Sequence, residues 1–318
     1  MDEKTTDVFN FYDIENKDSF FPAYLYMKFL HHFIAKFPQK RGMPVNPKIA
    51  RLDNPDLDLM LQAYADMVVE CGSSAETSIY HSKVVKLPDA KKLITQNIDM
   101  HLQVPETILP FPSAREILLI NPDAIAVGVC PCRLAKPECN CMPEPMEACI
   151  FIGDPHVSFL VENNPMFRRV SQEEAVHILE DCHKRGFVHC AYFKKDFGRR
   201  LYAICNCCSC CCLGVQTRNA FNDGLIDHTV AEIVPSGYVA KVGEDCVGCG
   251  ECLDTCQFRA ISMAENEECA IVDFDKCMGC GVCESRCPTQ AITLSEELSK
   301  GRVLDLDELK KKQISPKC

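Results

Sequence analysis

The 318-residue chain contains no tryptophan, and no stretch of it approaches about 20 consecutive apolar residues, which excludes a conventional membrane-spanning helix. Positive charge is also short. Thirty-four Lys and Arg against 45 Asp and Glu give a formal net charge of -11, and this disfavours nucleic acid as a partner, because such a binder needs a positive field to displace counterions. No G-x-G-x-x-G follows a strand pattern and no P-loop occurs, so there is no case for a bound dinucleotide or nucleoside triphosphate. The C-x3-C-x2-C spacing of the radical enzymes that use S-adenosylmethionine is missing too. The N-terminus, MDEKTTDV, is acidic and polar, without the basic start and apolar run of a signal peptide, so a reducing cytoplasm is the expected location.

What the chain has in excess is cysteine, 24 residues of it. A chain of about 300 residues buries around three quarters of its unfolded surface and needs no disulfides to hold a core. Most of the cysteines fall in three local bursts, a pattern of metal ligation. The densest, CNCCSCCC at 205–212, places six in eight positions.

The expected fold class is α+β, in four segments. Residues 1–110 carry a single cysteine, Cys71, and read as a mainly helical domain. In FFPAYLYMKFLHHFIAKFP the residues Phe21, Leu25, Phe29, Phe33 and Phe37 recur every four positions, predicting one amphipathic helix with Pro22 in its first turn and Pro38 at its end. His31 and His32 are adjacent and face two ways, so joint ligation is not expected. NPDLDLMLQAYADMVVECG predicts a second helix from Asn54, with Pro55 in the first turn, stopping at Gly72. No chemistry is legible in this segment.

Residues 111–235 read as a cysteine-rich α/β domain. Ser113 with Glu116 forms a capping box that predicts a helix over SAREILLI, and AIAVGV follows as a strand running into CPC. Ser171 with Glu174 caps a second helix ending at Gly186, and LYAI is a strand running into CNCC. If the two strands are neighbours in one sheet, both cysteine bursts reach the same edge. His183 and His189 are expected at the helix end and the following strand rather than as ligands. Residues 296–318 form a charged tail, with LDELKKK a short surface helix and Cys318 incidental.

Residues 236–295 hold an internal repeat of period 31, EDCVGCGECLDTCQFRAISM and FDKCMGCGVCESRCPTQAITL, predicting a βαββαβ domain. Each C-x2-C-x2-C loop wraps three thiolates around one face of an iron-sulfur cubane, and the fourth cysteine serves the other cluster. Cluster one takes Cys246, Cys249, Cys252 and Cys287; cluster two takes Cys277, Cys280, Cys283 and Cys256. Zinc sites ordinarily use separated C-x2-C pairs instead. Over about 238–294 the segment closely resembles the bacterial dicluster ferredoxins in all eight positions, departing at Gln257, where that family usually has proline; Pro288 keeps it in the second repeat.

In the middle segment, extended residues i and i+2 share a face, so Cys130 with Cys132 and Cys205 with Cys207 can each offer a pair to one metal centre. The expected ligands are Cys130, Cys132, Cys141, Cys149, Cys205, Cys207, Cys208 and Cys211, with Cys208 joining Cys205 and Cys207 opposite Cys130 and Cys132. The rest of the run serves a second centre or lines the first. At least one further iron-sulfur cluster, and up to two, is the leading reading; zinc and a mixture of buried or redox-active thiols are the alternatives. Arg133 is either a hydrogen-bond donor to a cluster sulfur or partner carboxylate, or a surface residue.

The order CPCR, CMPEPMEAC, a capped helix leading to Gly186 and FVH, then ICNCCSCCC resembles the generic iron-sulfur proteins of anaerobic bacteria and archaea, in which a cysteine-rich domain precedes a dicluster ferredoxin. That resemblance covers roughly 110–294 and implies electron transfer. The expected partners are donor and acceptor redox proteins, with the chain as a complex subunit, while charge and hydropathy leave out nucleic acid and a membrane span. The alternatives are an oxidoreductase with an open cluster in the middle domain, and a redox or metal sensor.

Overall fold

The computed structural model describes residues 17–71, 80–111, 116–194, 200–227, 231–265 and 268–314. The strands are β1 (Tyr80–Val85), β2 (Met100–Gln103), β3 (Glu116–Val129), β4 (Glu147–Asp154), β5 (Phe167–Arg169), β6 (Val188–Lys194), β7 (Arg200–Cys207), β8 (Ala231–Val234), β9 (Tyr238–Val242), β10 (Ile261–Met263), β11 (Ala270–Val272) and β12 (Ile292–Glu296). The helices are α1 (Lys17–Lys28), α2 (Leu30–Lys40), α3 (Pro55–Cys71), α4 (Leu87–Ile94), α5 (Pro131–Leu134), α6 (His156–Asn163), α7 (Gln172–Lys184), α8 (Leu213–Asn222), α9 (Glu251–Thr255), α10 (Val282–Arg286) and α11 (Leu306–Ile314).

A mixed, mainly antiparallel sheet runs in the order β2-β3-β4-β7-β6-β1-β8, with β5 added to β3. The central strands are covered on both faces, which is why LYAI and VHCAYF read as continuous apolar runs. Their two-residue period separates two cores. Ile150, Ile152, Ala191, Phe193 and Ile204 face α4, α7 and the leucines of α11. Cys149, Phe151, Cys190, Tyr192, Tyr202 and Cys207 share the opposite core with residues of α1, α2 and α3. The N-terminal helices therefore form the roof over the cysteine-bearing face.

Several expectations hold. Asn54 Oδ1 accepts from the amides of Asp56 and Leu57 at the start of α3. Ser171 Oγ accepts from the Glu174 amide at 3.1 Å and opens α7. The LDELKKK helix is α11, although Leu306 and Leu309 are buried in the sheet-side core.

Other expectations are corrected. EILLI is the first half of β3, not a helix: Leu119, Leu118, Ile117 and Glu116 pair with 100–103 of β2, and Ile117 and Leu119 are fully buried between. An apolar run of this length fits either state, and a partner strand more than ten residues upstream decides it. The single helix expected over 21–37 is two. The backbone turns at Phe29 (φ -120°, ψ 32°), so that α1 lies on α6 while α2 lies on α3 and α5, and Pro38 sits inside α2. The described part of the first 110 residues is mainly helical as expected, but β1 and β2 within it join the common sheet. Ser113, Gly72 and Cys318 lie outside the described residues.

In the C-terminal region β9 pairs with β12 and β10 with β11, both antiparallel, and the elements follow in the order β-α-β-β-α-β. Gly250 and Gly281 stand at φ 77° and 80° immediately before α9 and α10, a left-handed start that lets each thiol loop double back. At Gly279 (φ 63°) a Cβ would come within 2.2 Å of the Tyr238 carbonyl oxygen. That close approach lets Ser236 Oγ donate to the Gly279 carbonyl at 2.7 Å, tying the repeat to the end of the sheet.

Candidate metal centres

In the C-terminal repeat, Cys246, Cys249, Cys252 and Cys287 line one small cavity together with Gly248 and Gly250. Cys256 and Cys287 each follow a five-residue helix in extended conformation (φ -76° and -71°), which carries them out of their own loops. Cys256, Cys277 and Cys283 are mutual electrostatic neighbours around Cys280, where burial pushes the Cys280 thiol well above its ordinary value and Cys283 up to about 12. Backbone amides face the sulfurs: Ala260 N donates to Cys256 Sγ at 3.2 Å and Ala240 N to Cys277 Sγ at 3.5 Å. Four thiols ringing a cavity in one set, and amide donors aimed at the sulfurs of the other, fit a pair of cubanes.

The middle-region thiols fall into two sets. β3 and β7 run in the same direction but are separated by β4, apart from one contact at Glu116 and Arg200. Their C-terminal ends thus reach one edge as expected, and the intervening strand adds a thiol. Cys149 lies opposite Cys205, and Cys205 opposite Cys190, in adjacent strands. Cys130, Cys132, Cys149, Cys205, Cys207 and Cys212 line one cavity of about 400 Å³, walled by Tyr26, Ile34 and Phe37 of the roof and by Tyr192 and Tyr202 of the sheet. The thiols are electrically linked: the Cys132 and Cys149 sulfurs hold Cys130 well below the ordinary thiol range, and Cys132 and Cys207 do the same for Cys212.

The second set lies just beyond the end of β7. A tight turn, closed by Cys212 N donating to the Cys208 carbonyl at 3.0 Å, brings Cys208, Cys210 and Cys211 together. Cys141 comes from the loop after α5. The four sulfurs lie within 4.8 Å of one another, and Cys139 is 3.5 Å from Cys141 and 3.8 Å from Cys211. Bonds from Cys208 and Cys211 hold Cys210 down at about 4.

Arg133 stands between the sets, fully buried rather than on the surface. Nε donates to Cys141 Sγ at 3.3 Å, Nη1 donates to the Asn206 carbonyl at 3.0 Å, and the guanidinium covers the Phe187 ring at 4.3 Å. Burial opposes its charge, but the Cys130, Cys208 and Cys141 sulfurs hold its pKa above the ordinary value. Nη2 is buried with no partner among the described residues, a donor left for an anionic group in this thiol-rich interior. Asn206 is fixed from three sides: its carbonyl accepts from Arg133, Nδ2 donates to the Ala148 carbonyl, and Oδ1 accepts from His189 Nδ1 at 2.6 Å. His183 Nδ1 donates in turn to His189 Nε2. Both histidines are thus occupied in holding the cysteine strand, at the helix end and on the next strand.

Of the expected middle ligands, Cys130, Cys132, Cys149, Cys205 and Cys207 come together around the cavity. Cys208 does not join them; the turn after β7 sends it to Cys141 and Cys211. Sequence reasoning left Cys212 unassigned, although it precedes α8 and lines the cavity. It also missed the roof. The recurring aromatics of 21–37 were visible, but nothing local says what they cover.

A family model described as the 4Fe-4S dicluster domain matches residues 245–302. No curated protein and no solved structure matches the chain. The protein thus carries a 4Fe-4S dicluster domain preceded by a cysteine-rich region, and no helix among the described residues is long and apolar enough to cross a membrane.

Proposed function

We propose that the protein is an iron-sulfur electron-transfer protein, relaying single electrons through the two 4Fe-4S clusters of its C-terminal domain and one further iron-sulfur cluster in the cysteine-lined cavity to a partner redox enzyme. Such clusters supply one-electron exchange at potentials set by charge, hydrogen bonds and solvent exposure. Cys246, Cys249, Cys252 and Cys287 would hold the first, Cys277, Cys280, Cys283 and Cys256 the second, and four of the cavity thiols the third.

The observation that carries this reading is the join between the two regions. Gln257, next to Cys256, accepts from the Ser209 amide at 2.7 Å and donates to the Gly186 carbonyl at 2.9 Å, while its own carbonyl accepts from Asn219. The inner cysteines of the repeat thereby abut the CNCCSCCC turn. Cys249 is exposed beside an exposed Val247, a surface on which a partner can dock. The acidic net charge favours a basic patch on that partner.

A redox titration followed by electron paramagnetic resonance on the full chain tests the relay. A third cubane signal lost in the Cys205→Ser/Cys207→Ser double variant, with the other two retained, supports it. A wild-type protein with only two reducible clusters refutes it.

The size of the cavity favours a second reading, an oxidoreductase that takes an apolar small molecule. Some 400 Å³ lies within the range of ligand sites. At its wall Tyr202 hydroxyl meets Tyr26 hydroxyl at 3.2 Å, and burial raises the Tyr202 pKa well above the usual phenol, so its proton is kept for hydrogen bonding. A resonance signal that changes on adding an apolar compound, without any protein partner, selects this reading. The sensor reading would instead need the middle-region metal to be lost at oxidant levels that the dicluster domain survives.

A further inference from the structure

We propose that Cys141, Cys208, Cys210 and Cys211 bind one tetrahedral thiophilic divalent ion, zinc or mononuclear iron, in a site separate from every iron-sulfur cluster. The proposal does not depend on the electron-transfer reading.

The sulfur spacing carries the argument. Cys208 to Cys210 is 3.4 Å, Cys210 to Cys211 is 3.6 Å, Cys141 to Cys208 is 3.8 Å and Cys141 to Cys211 is 3.9 Å. Four thiolates around a single ion with metal-sulfur bonds of ~2.3 Å stand ~3.8 Å apart along the tetrahedron's edges. Thiolates on a cubane stand much farther apart, because the cluster's own irons and sulfides lie between them. The chain provides its own comparison. No other quartet of metal-binding side chains among the described residues gathers this closely, and the eight cysteines of the dicluster repeat do not.

The surroundings fit an ion held by four thiolates, which leave a net charge of -2. Arg133 Nε donates to Cys141 Sγ, and the guanidinium is itself locked by the Asn206 carbonyl and the Phe187 ring. This is the outer-sphere support that orients a ligand and offsets its charge. Cys208 and Cys211 are buried, whereas Cys210 is exposed and gives the ion a way in. The two sources of ligands are a turn and a distant loop, so the ion would clamp 139–141 onto the end of β7. Cys139 is a fifth thiol that a tetrahedral ion does not require.

The test uses the full chain purified anaerobically, with metal content measured by elemental analysis alongside labile sulfide. The expected result is one zinc, or one iron in excess of sulfide, per chain. Adding cobalt(II) to the metal-stripped site should give the intense visible bands of tetrahedral cobalt-thiolate, one equivalent per chain. Cys208→Ser/Cys211→Ser should abolish the bands and remove that single metal while leaving sulfide unchanged. Cys139→Ser should retain both, and Arg133→Lys should weaken the ion's affinity about 10- to 100-fold. Should the double variant fail to fold, Cys210→Ser at the exposed position gives the same readout. Loss of iron and sulfide in equal numbers in these variants means a cubane and overturns the proposal. So does a wild-type protein that shows no tetrahedral cobalt spectrum.

Discussion

Gln257 Oε1 accepts a hydrogen bond from the Ser209 amide at 2.7 Å, so the residue that follows the inner cysteine of the first repeat holds the middle of the CNCCSCCC run. Proline, usual at this place in the dicluster ferredoxins, has no side-chain group to make that bond. Gln257→Ala should lower stability by about 1–3 kcal/mol, two hydrogen bonds at roughly 0.5–1.5 kcal/mol each, and slow electron exchange between the two regions. Thermal unfolding and flash-reduction kinetics check the two effects; an unchanged rate with reduced stability would leave Gln257 a purely structural tie.

Cys256 and Cys287 should act on opposite clusters. Cys287→Ser is expected to alter the resonance signal of the cluster held by Cys246, Cys249 and Cys252, whose cavity it lines. Cys256→Ser should alter that of Cys277, Cys280 and Cys283. Spectra of the two variants in which each cysteine affected its own loop's cluster would overturn the assignment.

Arg133 places a full positive charge in the thiol-rich interior. A reduced cluster carries one more negative charge than an oxidised one, so removing the cation makes reduction harder. Arg133→Met should therefore shift the middle-region cluster to a more negative potential, and Arg133→Lys should shift it less. Redox titration of both variants measures this, and equal shifts would show that position matters rather than charge.

Three of the buried histidines make the fold acid-sensitive. Burial lowers His31, His156 and His189 from 6.5 to about 4 each. The unfolded chain takes up their protons first, so their stabilising contribution is complete above pH 6.5 and lost as pH falls toward 4. His31 Nε2 donates to the Val129 carbonyl at 2.8 Å, immediately before Cys130, so the cost of charging this buried ring falls next to the cavity wall. Thermal midpoints of the full chain between pH 7.5 and 4.5, expected to fall steeply below about 6.5, check it. His189→Asn should flatten that fall by its share.

How far the sequence could be read depended on the range of the interactions. The repeat was legible because its thiols lie within a few residues of one another, and Cys287 lies with Cys246, Cys249 and Cys252 around one cavity, where the spacing expects it. Two-residue alternation holds for Cys205 and Cys207 on β7, but Cys132 lies on α5 rather than on an extended strand, so Cys130 and Cys132 reach the same cavity by a strand end and a helical turn. Cys149 was foreseen as a ligand, but not that its strand would run between the other two. Cys208 was misplaced because alternation stops where β7 ends and a turn begins. EILLI was misread because its partner strand is remote, and the role of the N-terminal helices was hidden because their apolar faces look alike whatever they cover. Gln257 was visible only as a departure from proline, and its bond to Ser209 crosses 48 residues.

The central claim is that the cavity formed by Cys130, Cys132, Cys149, Cys205, Cys207 and Cys212 holds a cluster beyond the dicluster pair. Labile sulfide in the anaerobically reconstituted full chain tests it most directly. Three cubanes require about twelve sulfides per chain, falling to about eight in Cys205→Ser/Cys207→Ser. About eight in the wild-type chain would confine the clusters to the C-terminal domain and contradict the account.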